Sequence, residues 1–107
     1  MPGEIKKILR ELKKGLAKIY GDQLKAVVLF GSYARGDAHP PDSDIDVMIV
    51  LKGEFDYWAM NKLASEIVAD LSLKYDVVIS RKLTSNEEYA NSRFPLYINV
   101  RREGVTI

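Results

Sequence analysis

Apolar side chains recur every three or four residues in two long segments of the chain. In residues 5–19 they fall at i, i+3, i+4, i+7, i+11 and i+14, with lysines and an arginine on the opposite face. The same spacing recurs over residues 56–72, where Asp56 is placed to cap the first turn. The pattern therefore predicts two amphipathic helices.

Short apolar runs and helix-start signals divide the rest of the chain. Ser85, followed by Glu88 three residues later, predicts a short capped helix at 86–92, and Pro95 suits the start of a last helix that ends at Gly104. The apolar runs that predict strands lie at residues 25–30, 44–51, 75–80 and 105–107. Alternating helices and strands predict one α/β domain over residues 1–107, with a small mixed sheet of about four strands covered by helices.

Composition removes several classes of protein. The longest apolar runs are five residues, whereas a membrane-spanning helix needs about 20. There is no cysteine, which excludes a thiol nucleophile and fits a cytoplasmic protein. The net charge of +1 hides an acidic centre, because residues 37–76 hold nine acids and three lysines. We therefore expect a cytoplasmic protein with its acidic residues gathered at one place.

Two aspartates open the second predicted strand. Asp44 and Asp46 are two residues apart, so they point to the same face about 7 Å apart, while Ile45 and Val47 point to the other. Two carboxylates on one face repel each other, so the stability of the fold does not explain the pair. The pair suits one or two Mg²⁺ ions that clamp a transferring phosphoryl group. Acids are also common at strand ends, so the pair alone is a weak signal.

The turn after the first predicted strand strengthens this interpretation. Gly31 allows a phosphate to approach the backbone, and the hydroxyl of Ser32 and the guanidinium of Arg35 can donate hydrogen bonds to that phosphate. A β-α-β crossover would also bring Asp76, at the start of the third predicted strand, beside the aspartate pair. We therefore expect three converging carboxylates, with Asp76 as a metal ligand or a proton acceptor.

These residues together resemble the minimal nucleotidyltransferases of the DNA polymerase β superfamily, often called MNT proteins. That family carries Gly-Ser-x-Ala-Arg-Gly, a short loop, Ser-Asp-x-Asp-Leu/Val and a third acid on a later strand. The matching residues are Gly31, Ser32, Ala34, Arg35, Gly36, Ser43, Asp44, Asp46, Val47 and Asp76. The loop departs from the family pattern by carrying an extra proline near His39.

The resemblance implies a polymerase-β-like fold and a nucleotidyltransferase that moves a nucleoside monophosphate, expected to be AMP from ATP, onto a hydroxyl. It implies that Asp44, Asp46 and Asp76 hold two Mg²⁺ ions, and that the triphosphate lies against Gly31, Ser32, Arg35 and Ser43. It also implies a role as the antitoxin of a HEPN–MNT pair, which attaches AMP to a tyrosine of a HEPN ribonuclease toxin. The expected partners are thus a HEPN protein in a hetero-oligomer and a nucleotide, with no membrane and no nucleic acid substrate.

Two other functions stay open at the level of sequence. The first is a binding-only antitoxin, which neutralises its toxin by contact without turnover. The chain also resembles aminoglycoside-modifying nucleotidyltransferases, although a chain of 107 residues offers no second wall for a small acceptor. The base preference and the oligomeric state are not fixed by the sequence.

Overall fold

A computed structural model describes residues 3–40 and 42–107 of the chain. The helices are α1 (Gly3–Tyr20), α2 (Ser32–Arg35), α3 (Tyr57–Leu63), α4 (Ser65–Tyr75), α5 (Asn86–Asn91) and α6 (Pro95–Glu103). The strands are β1 (Leu24–Phe30), β2 (Ile45–Leu51), β3 (Ile79–Ser85) and β4 (Val105–Thr106), and a 3₁₀ turn (Gly21–Gln23) joins α1 to β1. No helix within the described ranges is long and apolar enough to cross a membrane.

The four strands form one mixed sheet in the order β3-β2-β1-β4. β1 pairs antiparallel with β2 and with β4, whereas β2 and β3 are parallel. The register places Phe30, the last residue of β1, beside Asp46 near the start of β2. The mixed α/β fold predicted from the sequence is therefore confirmed, and its register brings the β1–α2 turn next to the aspartate pair.

Helices cover both faces of the sheet. The predicted apolar stripe of α1 packs on one face together with α4, and it includes Ile8, Leu12 and Leu16, which are fully buried. On the other face, Tyr97 and Val100 of α6 pack against the sheet. Because β2 is buried on both sides, its apolar run is continuous from Val47 to Leu51.

The third strand lies later in the chain than predicted. The prediction of a strand at 75–80 is wrong, since α4 continues to Tyr75 and β3 begins only at Ile79. Asp76 closes α4 in the left-handed conformation, with φ 52° and ψ 52°, and its backbone N–H donates to Ser72. Aspartate tolerates this conformation better than most residues do, so Asp76 serves as a helix cap.

The predicted helix at 56–72 is two helices. Asp56 caps α3 as predicted, because its carboxylate accepts from the N–H of Ala59 at 3.0 Å. The helix then breaks at Ala64, where Arg81 of β3 donates to the side chain of Asn61 at 3.0 Å and to the hydroxyl of Ser65 at 3.0 Å. This tertiary contact satisfies polar groups at the break, which the apolar spacing alone does not reveal.

Candidate active site

The turn between β1 and α2 is built on a glycine. Gly31 has φ 74° and ψ −155°, a region that is essentially restricted to glycine, and its carbonyl accepts the N–H groups of Ala34 and Arg35 at 3.1 Å each. A Cβ placed on Gly31 would overlap Oδ2 of Asp46 and would stand 3.3 Å from Cγ of the same carboxyl group. Gly31 is therefore needed both for the turn and for the close approach of the Asp46 carboxylate.

The aspartate pair lies at the start of β2, as the sequence predicts. Asp44 is exposed and Asp46 is half-buried, while Ile45 and Val47 between and after them are fully buried on the opposite face. Burial raises the pKa of Asp46, the neighbouring Asp44 raises it further, and Arg35 lowers it. The two carboxylates are thus close enough to repel each other, and a cation beside them would relieve that repulsion.

A cleft of about 390 Å³ contains Asp46 and the β1–α2 turn. Its volume is within the usual range for a small-molecule site. One wall carries Ser32 and Arg35, and the opposite wall is a side of α6. The residues that line it are Phe30, Gly31, Ser32, Arg35, Asp46, Leu96, Asn99, Val100 and Glu103.

Arg35 has anionic neighbours on both sides. Its Nε lies 3.3 Å from Oδ2 of Asp37, and its Nη1 lies 3.8 Å from Oε2 of Glu103 on α6. All three side chains are well exposed, so these ion pairs are weak. The Arg35 guanidinium lines the cleft, and because its ion pairs are weak a phosphate can replace the two carboxylates there.

Three of the predicted site residues are not in the lining of this cleft: Asp44, which lies just before β2, and Ser43 and Asp76. Asp76 is exposed and lines a separate pocket of about 220 Å³ with Ser43 and Pro40. The hydroxyl of Ser43 accepts from the backbone N–H of His39 at 2.8 Å, so here it supports the loop. In the register of β2 and β3, the neighbour of Asp46 is Ser80.

The expected convergence of three carboxylates is absent. Over residues 3–40 and 42–107 there is no group of three His, Cys, Asp or Glu side chains placed to hold a metal ion. The physical reason is the later start of β3, which leaves Asp76 in the cap of α4. Asp44 and Asp46 fit a hard cation such as Mg²⁺ by their oxygen donors and mutual repulsion. The role of Asp76 as a ligand stays a prediction.

The wall formed by α6 was not identified from the sequence. Leu96, Asn99 and Glu103 are spaced i, i+3 and i+7, so they share one side of a helix. That spacing is the signal that could have grouped them, but it does not indicate which element they face. Only the packing of α6 on the sheet brings them opposite Gly31.

A larger groove, about 580 Å³, lies elsewhere on the described structure. It lies along α1, with Leu9 and Ala17 in its lining and four basic side chains, Lys6, Arg10, Lys13 and Lys14, around it. It shares no lining residue with the cleft and has no aspartate or glutamate in its lining, whereas the cleft contains Asp46. We therefore place the candidate chemistry in the smaller cleft.

Comparison with known proteins identifies the class. Residues 5–102 match the nucleotidyltransferase domain family, and the chain belongs to this family. By this membership the chain is a nucleotidyltransferase. A relative from Methanocaldococcus jannaschii that is named as a protein adenylyltransferase is 37% identical over 100 residues, which cover 92% of each chain.

Solved structures share the fold. A crystal structure from Sulfolobus solfataricus, named as a nucleotidyltransferase, superimposes with a TM-score of 0.66 at 22% identity and covers 94% of this chain and 76% of that one. A toxin–antitoxin crystal structure with AMP-PNP gives a TM-score of 0.59 at 24% identity and covers 91% of this chain and 69% of that one. At these identities the likeness concerns the fold.

Proposed function

We propose that this protein transfers AMP from ATP to a hydroxyl group of a partner protein in the cytoplasm, in a reaction that depends on Mg²⁺. The observation that carries the proposal is the contact of Gly31 with the Asp46 carboxylate inside the cleft. This contact places the aspartate pair beside a turn whose Ser32 and Arg35 side chains can donate hydrogen bonds to a phosphate.

In this reaction the acceptor oxygen attacks the α-phosphorus of ATP. The new phosphorus–oxygen bond forms as the bond to the bridging oxygen breaks, and pyrophosphate leaves with that electron pair. The Asp44 and Asp46 carboxylates would hold Mg²⁺, one or two ions, which supplies charge neutralisation for the attacking and leaving oxygens. Arg35 would pair with the terminal phosphates once they displace Asp37 and Glu103.

The hydroxyl proton requires an acceptor. Asp76 is our proposed proton acceptor or additional ligand, and its exposed position next to the loop that carries Ser43 means that it must move toward Asp44 to take part. Its place at the end of a helix, followed by two residues before β3 begins, makes such a shift local.

A protein acceptor is favoured by the size of the cleft and by the relatives. The cleft of about 390 Å³ is formed by the β1–α2 turn, β2 and α6, and a nucleotide would occupy most of it, so the acceptor would come from another molecule. The relative named as a protein adenylyltransferase and the toxin–antitoxin structure with AMP-PNP support a protein partner. We propose that this partner is a HEPN-type toxin modified on a tyrosine, in a hetero-oligomer with this chain.

The decisive experiment is transfer of label from α-³²P-ATP to a purified HEPN protein encoded beside this chain. With Mg²⁺, the wild-type protein should label the partner, and the Asp44→Asn/Asp46→Asn double variant should not. Asp70→Asn is the matched control, because Asp70 is an exposed aspartate on α4 away from the cleft. Equal labelling by the double variant would show that the carboxylate pair is not catalytic.

A binding-only antitoxin is the second candidate. It is favoured by one observation, namely that Asp76 does not join Asp44 and Asp46 in the described structure. The same double variant separates the two functions when the ribonuclease activity of the toxin is measured. A binding-only antitoxin would neutralise the toxin equally well with either form, whereas a transferase would lose neutralisation together with its carboxylates.

A further inference from the structure

One side of α6 forms the wall of the cleft opposite Gly31 and Asp46. Asn99 is exposed on this side, and Leu96 lies one turn before it. Val100, which is 1% exposed, closes the base of the cleft and is apolar. The wall therefore combines an apolar surface with one carboxamide group.

Tertiary contacts fix the rotation of α6. Tyr97 is buried against the sheet, accepts a hydrogen bond from the hydroxyl of Thr84 at 3.2 Å and donates to Oε1 of Glu88 at 2.8 Å. Arg101 donates to the backbone carbonyls of Tyr89 and Ser92, each at 2.7 Å. Because these contacts leave α6 little freedom to turn, Asn99 stays on the side of α6 that lines the cleft.

The direction of a bound nucleotide follows from Glu103. Its carboxylate lies 3.8 Å from the Arg35 guanidinium, so this end of α6 is the phosphate end of the cleft. Asn99 is one helical turn away, about 6 Å along the axis, and Leu96 is about 10 Å away. A nucleotide with its phosphates at Arg35 therefore extends its base toward Asn99 and Leu96.

We propose that Asn99 and Leu96 form a base subsite that selects adenine over guanine. A carboxamide offers one acceptor and one donor, which match the N6 amino group and N7 of adenine in a bidentate pair. Guanine presents two acceptors, O6 and N7, to the same group, so the Asn99 carbonyl oxygen would face an acceptor. Leu96, which is 39% exposed, supplies apolar contact for the face of the ring.

This inference rests on the proposed function and deepens it, because it names the residue that sets the base preference. Its test is the binding of Mg²⁺ complexes of AMP-PNP and GMP-PNP, measured by isothermal titration calorimetry without any acceptor. The wild-type protein should bind AMP-PNP more tightly by about 5- to 150-fold, the range expected for one bidentate pair. Asn99→Ala should reduce this preference to about one.

Asn91→Ala is the control, because Asn91 is an exposed asparagine at the end of α5 and does not line the cleft. It should keep the wild-type preference. Since Asn99 is exposed and alanine favours helix, Asn99→Ala should fold normally, which circular dichroism can check.

The outcomes separate the two proposals. Equal affinity of the wild-type protein for both nucleotides, no binding of either, or an unchanged preference in Asn99→Ala overturns the base subsite. Label transfer to the HEPN protein from ATP and GTP with equal efficiency would keep the transferase and refute the subsite. A preference for AMP-PNP that depends on Asn99, without any transfer, would keep the subsite and refute the transferase.

Discussion

Substitution of Gly31 by alanine tests whether the β1–α2 turn sets the position of the Asp46 carboxylate. Alanine at φ 74° and ψ −155° is strained, which costs about 1–3 kcal/mol of unfolding free energy. The new methyl group also overlaps Asp46 Oδ2, and to restore ordinary contact that oxygen must move by about 1 Å. A displacement of about 1 Å in reacting geometry costs about 100-fold in rate.

Two measurements follow from these magnitudes. The melting temperature of Gly31→Ala should fall by about 4–8 °C for each kcal/mol lost. Transfer of AMP to the partner should fall by about 100-fold, well beyond what the loss of folded protein accounts for. Both are measured on the same preparation, at a temperature below the melting transition of the variant.

Gly21→Ala is the matched control. Gly21 also has a positive φ, 57°, but a Cβ there would have no neighbour within 4 Å, and Gly21 lies in the turn between α1 and β1. This variant should lose stability through backbone strain alone and should keep its transfer rate. If Gly31→Ala behaves in the same way, the reasoning that links Gly31 to the position of Asp46 is wrong.

Two further predictions concern contacts between elements. Hydrogen bonds from Tyr75 and Lys74 on α4 lower the pKa of Glu11 on α1. The stability that these hydrogen bonds contribute is therefore complete above the unfolded pKa of about 4.3, and it is lost as the pH falls through the lower pKa of the folded state. Glu11→Gln should therefore approach wild-type stability in urea as the pH drops from about 6 to about 3, and a constant difference would contradict this. Tyr97→Phe should lower the free energy of unfolding by about 1–3 kcal/mol, because it removes the phenol that accepts from the buried Thr84 hydroxyl. It should also weaken AMP-PNP binding by loosening α6. Unchanged affinity would exclude a positioning role for Tyr97.

Local signals predicted most of the elements. The α1 stripe, the Asp56 and Ser85 caps, and the helix from Pro95 to Glu103 all depend on neighbours within one or two turns, so they can be read from spacing. The apolar runs of β1 and β2 were also visible, because β1 and β2 lie in the interior of the sheet.

The sequence-based predictions were wrong where a contact between residues distant in the chain sets the bounds of an element. β3 lies at the edge of the sheet and carries Ser80, Arg81 and Lys82, so its pattern is too polar to mark a strand. The break at Ala64 depends on Arg81, which is distant in sequence. Neither feature has a signal within the local window that a periodicity analysis uses.

The sequence by itself determined the class of the protein and the central part of its candidate site. Strand alternation puts Asp44 and Asp46 on one face, and only a short loop separates them from Gly31 and Ser32, so an antiparallel return of the chain brings the four residues together. The tertiary structure alone decided that Asp76 caps a helix outside the cleft and that α6 supplies the opposite wall with Asn99 and Glu103. The physical reason is that strand register and helix docking are set by packing across the sheet, which no local spacing records.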